Sequence, residues 1–207
     1  MEALAAAHPV LSLICNPHRG KAYAVRTGIL SSNGQYVLFM DADGATPIGE
    51  VEKLLPYLEG EYDVAIASRE GAGAQRYDEP SYRHLMGRVF NFIVRSLAVP
   101  GIHDTQCGFK AFRRDAAQNL FANMKLYPEH AGPVQGAVVT AFDVEILFLA
   151  RKWGYAIAEV PVHWYYGDES KVSPLKDSWR NLRDVMRVRW NDLRGRYPHQ
   201  PPLSSSD

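Results

Sequence analysis

The sequence has little cysteine, no net charge and no long apolar run, and each of these absences excludes a class of protein. Its two cysteines, Cys15 and Cys107, show no metal-ligand spacing and are too few for a disulfide framework, so we expect free thiols in a reducing, cytoplasmic compartment. The 23 basic residues balance the 23 acidic ones, so no overall field favours nucleic acid as a partner. No segment reaches the roughly 18 apolar residues that span a bilayer, and no signal peptide is visible.

Apolar runs with strand spacing alternate with runs of helical spacing, which predicts an α/β fold with a mostly parallel sheet flanked by helices. We expect one domain over 1–173, a basic amphipathic helix over 174–197 and a disordered tail over 198–207. The predicted strands are 11–15, 35–40, 62–67 and 155–164. The predicted helices are 20–32, one beginning near residue 46, 81–99, 115–124, 142–153 and the last one named above.

Three local signals refine this outline. Thr46 is predicted to cap a helix that has Pro47 at its first position. Pro161 places the last predicted strand at an edge of the sheet, because proline cannot donate to a strand ladder. The polar, glycine-rich segment 71–80 is predicted to be a mobile flap.

Two carboxylates, Asp41 and Asp43, follow the predicted strand 35–40 directly. Open α/β sheets bind ligands beyond the carboxyl ends of their strands. Carboxylate oxygens suit Mg²⁺ or Mn²⁺, which takes one or two protein carboxylates together with substrate phosphates. We therefore predict a metal–diphosphate site at Asp41 and Asp43, although a solvated turn would explain the same residues without a function.

The same Asp-x-Asp-Gly-x-Thr pattern is similar to the nucleophile motif of haloacid-dehalogenase-type phosphatases. There the first Asp would be phosphorylated and the second would act as acid and base, with Gly167-Asp168 as a metal-binding pair. A strand and a helix precede the motif here, however, and the further Asp expected after Asp168 is missing. The phosphatase therefore stays as the alternative function.

Other polar residues are candidates with simpler explanations beside them. Lys21 lies at the start of the predicted helix 20–32, whose N-terminus would attract an anion, which makes it a candidate ligand for a nucleotide sugar. Ala22 replaces the Ser or Thr of a P-loop, so that motif is excluded. Asp143 and Glu145 begin a predicted helix, where compensation of the helix dipole accounts for them without a function.

Five segments, taken in order, resemble the family-two glycosyltransferases that use polyprenyl phosphate. They are 41–46, 67–69, 104–110, 142–145 and 170–171. The resemblance extends from about residue 16 to residue 179 and is strongest to the branch that acts on dolichyl phosphate. It implies a GT-A fold, Rossmann-like, and a metal-dependent, inverting transfer of a hexose, glucose from UDP-glucose, to dolichyl or another polyprenyl phosphate.

The resemblance also implies a role for each site residue. The nucleotide would contact Asp41 and the metal Asp43, the sugar would face Asp104 and Gln106, and phosphates would be bound by Arg69, Arg83 and Lys171. An acceptor phosphate is already largely ionised near neutral pH, so it can attack without a strong general base. Asp143 or Glu145 would then orient groups rather than abstract a proton.

The family opens with an apolar strand, a Pro-x-Tyr-Asn-Glu-like turn and an Asp-Asp-Gly-Ser-like motif, which this chain does not contain. We therefore expect an N-terminally truncated domain without that strand, and a catalytically impaired fragment is a further alternative. On the last predicted helix, five apolar residues share a side from which the arginines are absent: Trp179, Leu182, Met186, Trp190 and Leu193. This pattern predicts peripheral contact with the cytoplasmic face of a membrane, or packing of that side on the sheet.

Overall fold

The computed structural model describes residues 2–126, 141–167 and 174–200. Its strands are β1 (Tyr36–Met40), β2 (Val64–Ser68), β3 (Gln75–Tyr77), β4 (Phe109–Arg113), β5 (Ile157–Pro161) and β6 (His163–Tyr165). Its helices are α1 (Glu2–Ala7), α2 (Lys21–Leu30), α3 (Val51–Glu59), α4 (Ser81–Leu97), α5 (Arg114–Ala122), α6 (Phe142–Lys152) and α7 (Pro174–Leu193). A short 3₁₀ turn, Ile48–Glu50, leads into α3.

The main sheet has the order β1-β4-β2-β5 and is mixed rather than mostly parallel. β2 and β5 are parallel, whereas β4 is antiparallel to both of its neighbours. Strands β1, β2 and β5 therefore end at the same edge of the sheet, and the segment that enters β4 lies at this edge too. β5 forms one border of the sheet, as Pro161 predicts, so the proline leaves no ladder bond unmade.

β4 is the strand of the main sheet that the apolar pattern does not predict. Lys110 interrupts its run of apolar residues, yet Phe109, Ala111 and Phe112 are all buried. β4, which carries this fully buried lysine, thus lies between β1 and β2. The lysine is part of the site described below.

Helices cover both faces of the sheet. On one face α2, α5, α6 and part of α7 enclose an aromatic cluster that includes Phe39, Phe112, Phe121 and Phe142. On the other face α3 inserts Leu54 and Leu58. This three-layer arrangement confirms the α/β prediction, because each face of the sheet needs apolar side chains from a helix to exclude water.

The predicted strand at 11–15 is wrong: these residues adopt no regular structure and leave Leu11, Leu13 and Ile14 each more than 40% exposed. A strand forms only where a neighbouring backbone edge accepts its hydrogen bonds. Within the described ranges β1 pairs with β4 alone, so no ladder reaches this apolar segment.

Two further local predictions need correction. Thr46 does not cap a helix; its side chain is buried, and Oγ1 lies 3.9 Å from the sulfur of Cys107. The predicted flap at 71–80 contains β3, which pairs with β6. Arg76 fastens it, since its guanidinium donates to the carbonyl of Arg69 and to the carboxylates of Glu70 and Glu79.

The C-terminal residues also depart from expectation in part. The predicted disordered tail begins at Pro198, whose carbonyl accepts a hydrogen bond of 2.9 Å from the indole of Trp153. The rest of that tail, from residue 201 onward, lies outside the described residues.

The helices α4 and α7 pack against each other and leave apolar side chains in solvent. On α4, Leu85, Val89 and Phe92 are each more than half exposed. On α7 the side that carries the tryptophans is exposed, so this side of the helix does not pack on the sheet. The residues that α7 buries are Val185 and Val188. No described helix has the length and apolarity needed to cross a membrane.

Candidate functional site

The first group of site residues lies where β1 ends. The amide of Asp41 donates to the carbonyl of Gly108 at 2.8 Å, which continues the β1–β4 ladder by one residue. The carboxylate of Asp41 lies directly over Gly108, where a Cβ would overlap it, and forms an ion pair of 2.5 Å with Lys21. Asp43 is exposed, and its Oδ1 accepts from the amide of Ala45 at 3.1 Å. The Asp41 carboxylate is therefore held by the side chain of Lys21 and the Asp43 carboxylate by the backbone of Ala45.

Lys21, at the first position of α2, is surrounded by carboxylates. Burial alone would lower the pKa of its ammonium group, but Asp143, Asp41 and Asp43 together raise that pKa above its ordinary value. Lys21 therefore stays positively charged across the physiological pH range. The structure thus brings Lys21 next to Asp41 at the end of β1.

A buried ion pair lies beneath this group. Lys110 of β4 is fully buried and donates at 2.8 Å to Asp143, at the start of α6, and also to the carbonyl of Cys107. Sequence reasoning missed Lys110, although one lysine inside an apolar run is the kind of signal that marks a buried charge with a partner.

The second group of site residues lies where β2 ends. Arg69 donates two guanidinium hydrogen bonds, of 2.7 and 2.9 Å, to the fully buried carboxylate of Asp104, and its own amide adds a third of 2.9 Å. Burial would raise the pKa of the Asp104 carboxyl, but the Arg69 guanidinium holds it well below its usual range. The arginine also lies over the ring of Trp164, 5.2 Å from its centre. This pair is a rigid, ionised unit.

Gln106 is next to this pair. Its amide N–H donates to Asp104 at 3.2 Å, while its side-chain nitrogen is buried and has no hydrogen-bond partner among the described residues. Lys110 helps to lower the pKa of Asp104, so the two groups of site residues are electrostatic neighbours.

Asp143 and Glu145 have different environments, which separates their roles. Glu145 accepts hydrogen bonds from the amides of Lys125 and Leu126 and from the hydroxyl of Tyr197. Burial raises the pKa of the Glu145 carboxyl to about 7. This residue ties α6 to two distant parts of the chain, so only Asp143 faces the candidate site.

Two predicted site residues cannot be placed. Arg83 belongs to α4, but its side chain lies outside what the structure describes, and Lys171 falls in 168–173, also outside the described residues. The Asp168 of the phosphatase alternative falls in the same segment. Lys21, Asp41 and Asp43 are brought together, and Arg69, Asp104 and Gln106 form the neighbouring group.

The mixed sheet between two layers of helices has the GT-A fold of glycosyltransferases, as the likeness to two solved structures shows. The chain is similar to the solved glucosyl-3-phosphoglycerate synthase of Mycobacterium tuberculosis in complex with uridine diphosphate, with a TM-score of 0.52 and 18% identity over 89% of this chain and 58% of that one. It is also similar to mannosyl-3-phosphoglycerate synthase of Rubrobacter xylanophilus, with a TM-score of 0.50 and 16% identity over 92% of this chain and 56% of that one. These likenesses confirm the predicted fold.

Sequence comparison defines the family. The model of glycosyl transferase family 2 matches residues 1–121. The chain is 37% identical to dolichyl-phosphate beta-glucosyltransferase of Dictyostelium discoideum, over 86% of this chain and 53% of that protein. It is 38% identical to the Homo sapiens protein of the same name, over 90% of this chain and 56% of that protein. The chain belongs to glycosyl transferase family 2, and it spans about half the length of these relatives.

Proposed function

We propose that the chain carries the donor site of a hexosyltransferase that moves glucose from UDP-glucose, with inversion, to dolichyl phosphate or another polyprenyl phosphate. The observation that carries the proposal is the group of Lys21, Asp41 and Asp43 at the end of β1, in a chain that is 38% identical to a dolichyl-phosphate beta-glucosyltransferase. Anionic and cationic side chains meet there at the strand edge where α/β folds bind their ligands. The phosphatase alternative gains no support from the fold or the family.

The donor set suits a divalent ion, Mg²⁺ or Mn²⁺. Asp43 is exposed, and among the described residues only its Oδ1 accepts a hydrogen bond, while no described cluster offers three or more ligands. Magnesium keeps several waters and takes one or two carboxylates, so Asp43, with Asp41 beside it, would hold it. Such an ion supplies neutralisation of the charge that develops on the leaving diphosphate.

The protein's own residues position the reactants. Lys21 would meet the donor phosphates with a charge that the surrounding carboxylates maintain. Asp143 is held by Lys110 and Asp104 by Arg69, so both carboxylates are already engaged as hydrogen-bond acceptors. An ionised acceptor phosphate needs no strong base, so these pairs orient the sugar and its leaving group rather than abstract a proton.

Replacing Asp43 with alanine is expected to lower transfer from UDP-glucose to dolichyl phosphate by about three decades. An ion about 4 Å from a carboxylate gains roughly 4 kcal/mol at an effective dielectric of 20, and 1.4 kcal/mol is tenfold in rate. The assay follows radiolabelled glucose into the lipid fraction, with Mn²⁺ present, and GDP-mannose serves as the competing donor. Glu52→Ala removes one exposed carboxylate from α3 and should leave the rate unchanged. Unchanged turnover in Asp43→Ala would contradict the metal site.

We also propose peripheral contact with the cytoplasmic face of a membrane, through both α4 and α7. An open groove of about 920 Å³ runs along α4 and is lined by Leu85, Val89 and Phe92, with Arg88 and Arg95 beside them. Exposed apolar side chains flanked by arginines favour the interface of an anionic bilayer. The apolar side of the same groove offers a path for the isoprenoid chain of the acceptor, and Glu70 and Glu159 line the groove as well.

The double variant Leu85→Ser, Phe92→Ser is expected to bind phosphatidylserine-containing vesicles about 100-fold more weakly, since each apolar side chain contributes on the order of 1.5 kcal/mol when it leaves water. Vesicle flotation measures the effect. Tyr57→Ser, an exposed position on α3, is the matched control and should bind as the parent does. Equal binding by the double variant would exclude α4 from the membrane contact.

A further inference from the structure

Glu159 of β5 lies behind the Arg69–Asp104 pair and joins two segments that carry it. Its carboxylate accepts hydrogen bonds from the hydroxyl of Ser68 at 2.8 Å, from the amide of Asp104 at 2.8 Å and from the amide of His103 at 2.9 Å. The ring nitrogen Nδ1 of His103 is 3.1 Å from the same carboxylate. Four contacts thus converge on one side chain that none of the sequence motifs includes.

These contacts fix the two ends of the ion pair. Ser68 is the residue before Arg69, and Glu159 holds it at the end of β2. The amides of His103 and Asp104 belong to the turn that presents the Asp104 carboxylate to Arg69. Through these bonds Glu159 fixes where Asp104 lies and, through Asp104, how the guanidinium of Arg69 is oriented.

The chemistry of the contacts requires an acceptor without a hydrogen of its own. Two backbone amides and one hydroxyl point at Glu159, and an ionised carboxylate accepts from all of them. A glutamine of the same shape would turn its NH₂ group toward at least one N–H, which leaves a donor unpaired. Hydrogen bonds to a charged acceptor are also the stronger kind.

We propose that Glu159 is a positioning residue: it holds the 103–104 turn so that Asp104 keeps Arg69 in one orientation at the site. The effect of Glu159 on activity rests on the proposed glucosyl transfer. Its effect on the position of the 103–104 turn does not depend on that proposal.

The first test uses amide hydrogen exchange in the full chain and needs no activity. In Glu159→Gln, the amides of Arg69 and Asp104 are expected to exchange about tenfold faster, because each loses a constraint worth about one hydrogen bond. The amides of β1 should keep their rates. Glu61→Gln, an exposed position, is the matched control. Unchanged exchange at Arg69 and Asp104 would overturn the proposal, whatever the protein's activity.

The second test separates positioning from general destabilisation. If Glu159 acts through Asp104, Glu159→Gln lowers kcat about 10-fold to 100-fold in the parent chain but adds nothing further in an Asp104→Asn background. A purely structural role would make the two losses multiply, and that result would overturn the proposal. A chain that transfers no glucose but shows the exchange effect would refute the proposed function and leave the positioning role standing.

Discussion

Replacing Gly108 with alanine is expected to lower transfer activity by about 100-fold while changing the free energy of unfolding by less than about 1 kcal/mol. The new methyl group would occupy the space that the Asp41 carboxylate fills, and Asp41 can escape only by rotating away from Lys21. A displacement of about 1 Å in a positioned group is enough for a loss of this size. Steady-state kinetics and chemical denaturation measure the two quantities.

Two controls tie this effect to Asp41. Gly28→Ala adds the same methyl group to an exposed position of α2 where nothing lies within 4 Å, so it should leave activity intact. In an Asp41→Ala background, Gly108→Ala should not weaken the affinity for UDP with Mn²⁺ any further, because the carboxylate it displaces is gone. Additive losses in that affinity would show that Gly108 acts by another route.

Replacing Lys110 with methionine is expected to lower the free energy of unfolding by about 3–5 kcal/mol. The substitution keeps the length of the side chain but leaves the buried carboxylate of Asp143 without its nearest cation and the carbonyl of Cys107 without its donor. The double variant Lys110→Met, Asp143→Leu removes both charges, so it should recover much of the loss. Urea denaturation of the two variants measures this difference.

The size of that loss depends on burial, and the chain offers a matched comparison. Lys53 pairs with Glu50 at a similar distance of 2.7 Å, but its side chain is 41% exposed. Lys53→Met should therefore cost less than about 1 kcal/mol. A loss in Lys110→Met as small as that of Lys53→Met would mean that the buried pair contributes little.

The sequence predicts the elements whose signals are local. The helix α2, the strands β1 and β2 and the acidic turn after β1 all follow from apolar periodicity and from carboxylates at a strand end. The proximity of Asp41 and Lys21 also follows, since Asp41 comes directly after β1 and Lys21 begins α2 at the same edge of the sheet. For these residues the local pattern and the final fold agree.

Features that depend on distant partners do not follow from the pattern. β4 was missed because its buried Lys110 breaks the apolar run, and only Asp143, far along the chain, explains that lysine. The apolar periodicity of α4 is present as predicted, yet periodicity does not say what covers a face, and Leu85 and Phe92 lie in solvent. Glu159 carries no motif; its role depends on donors from two other segments.

The position of β4 between β1 and β2 has a consequence for how the chain folds. Tyr36 pairs with Arg113, Val64 with Phe112 and Val64 again with Ile157, so every ladder of the main sheet joins residues that are far apart in sequence. Loop-closure entropy must be overcome before any of these pairings stabilises the chain, which slows folding. During synthesis β1 and β2 emerge before β4, and neither has its β4 partner until residues 109–113 have been made. The Asp41 carboxylate reaches its position over Gly108 only when β4 has joined β1, so the proposed donor site cannot form before β4 is inserted.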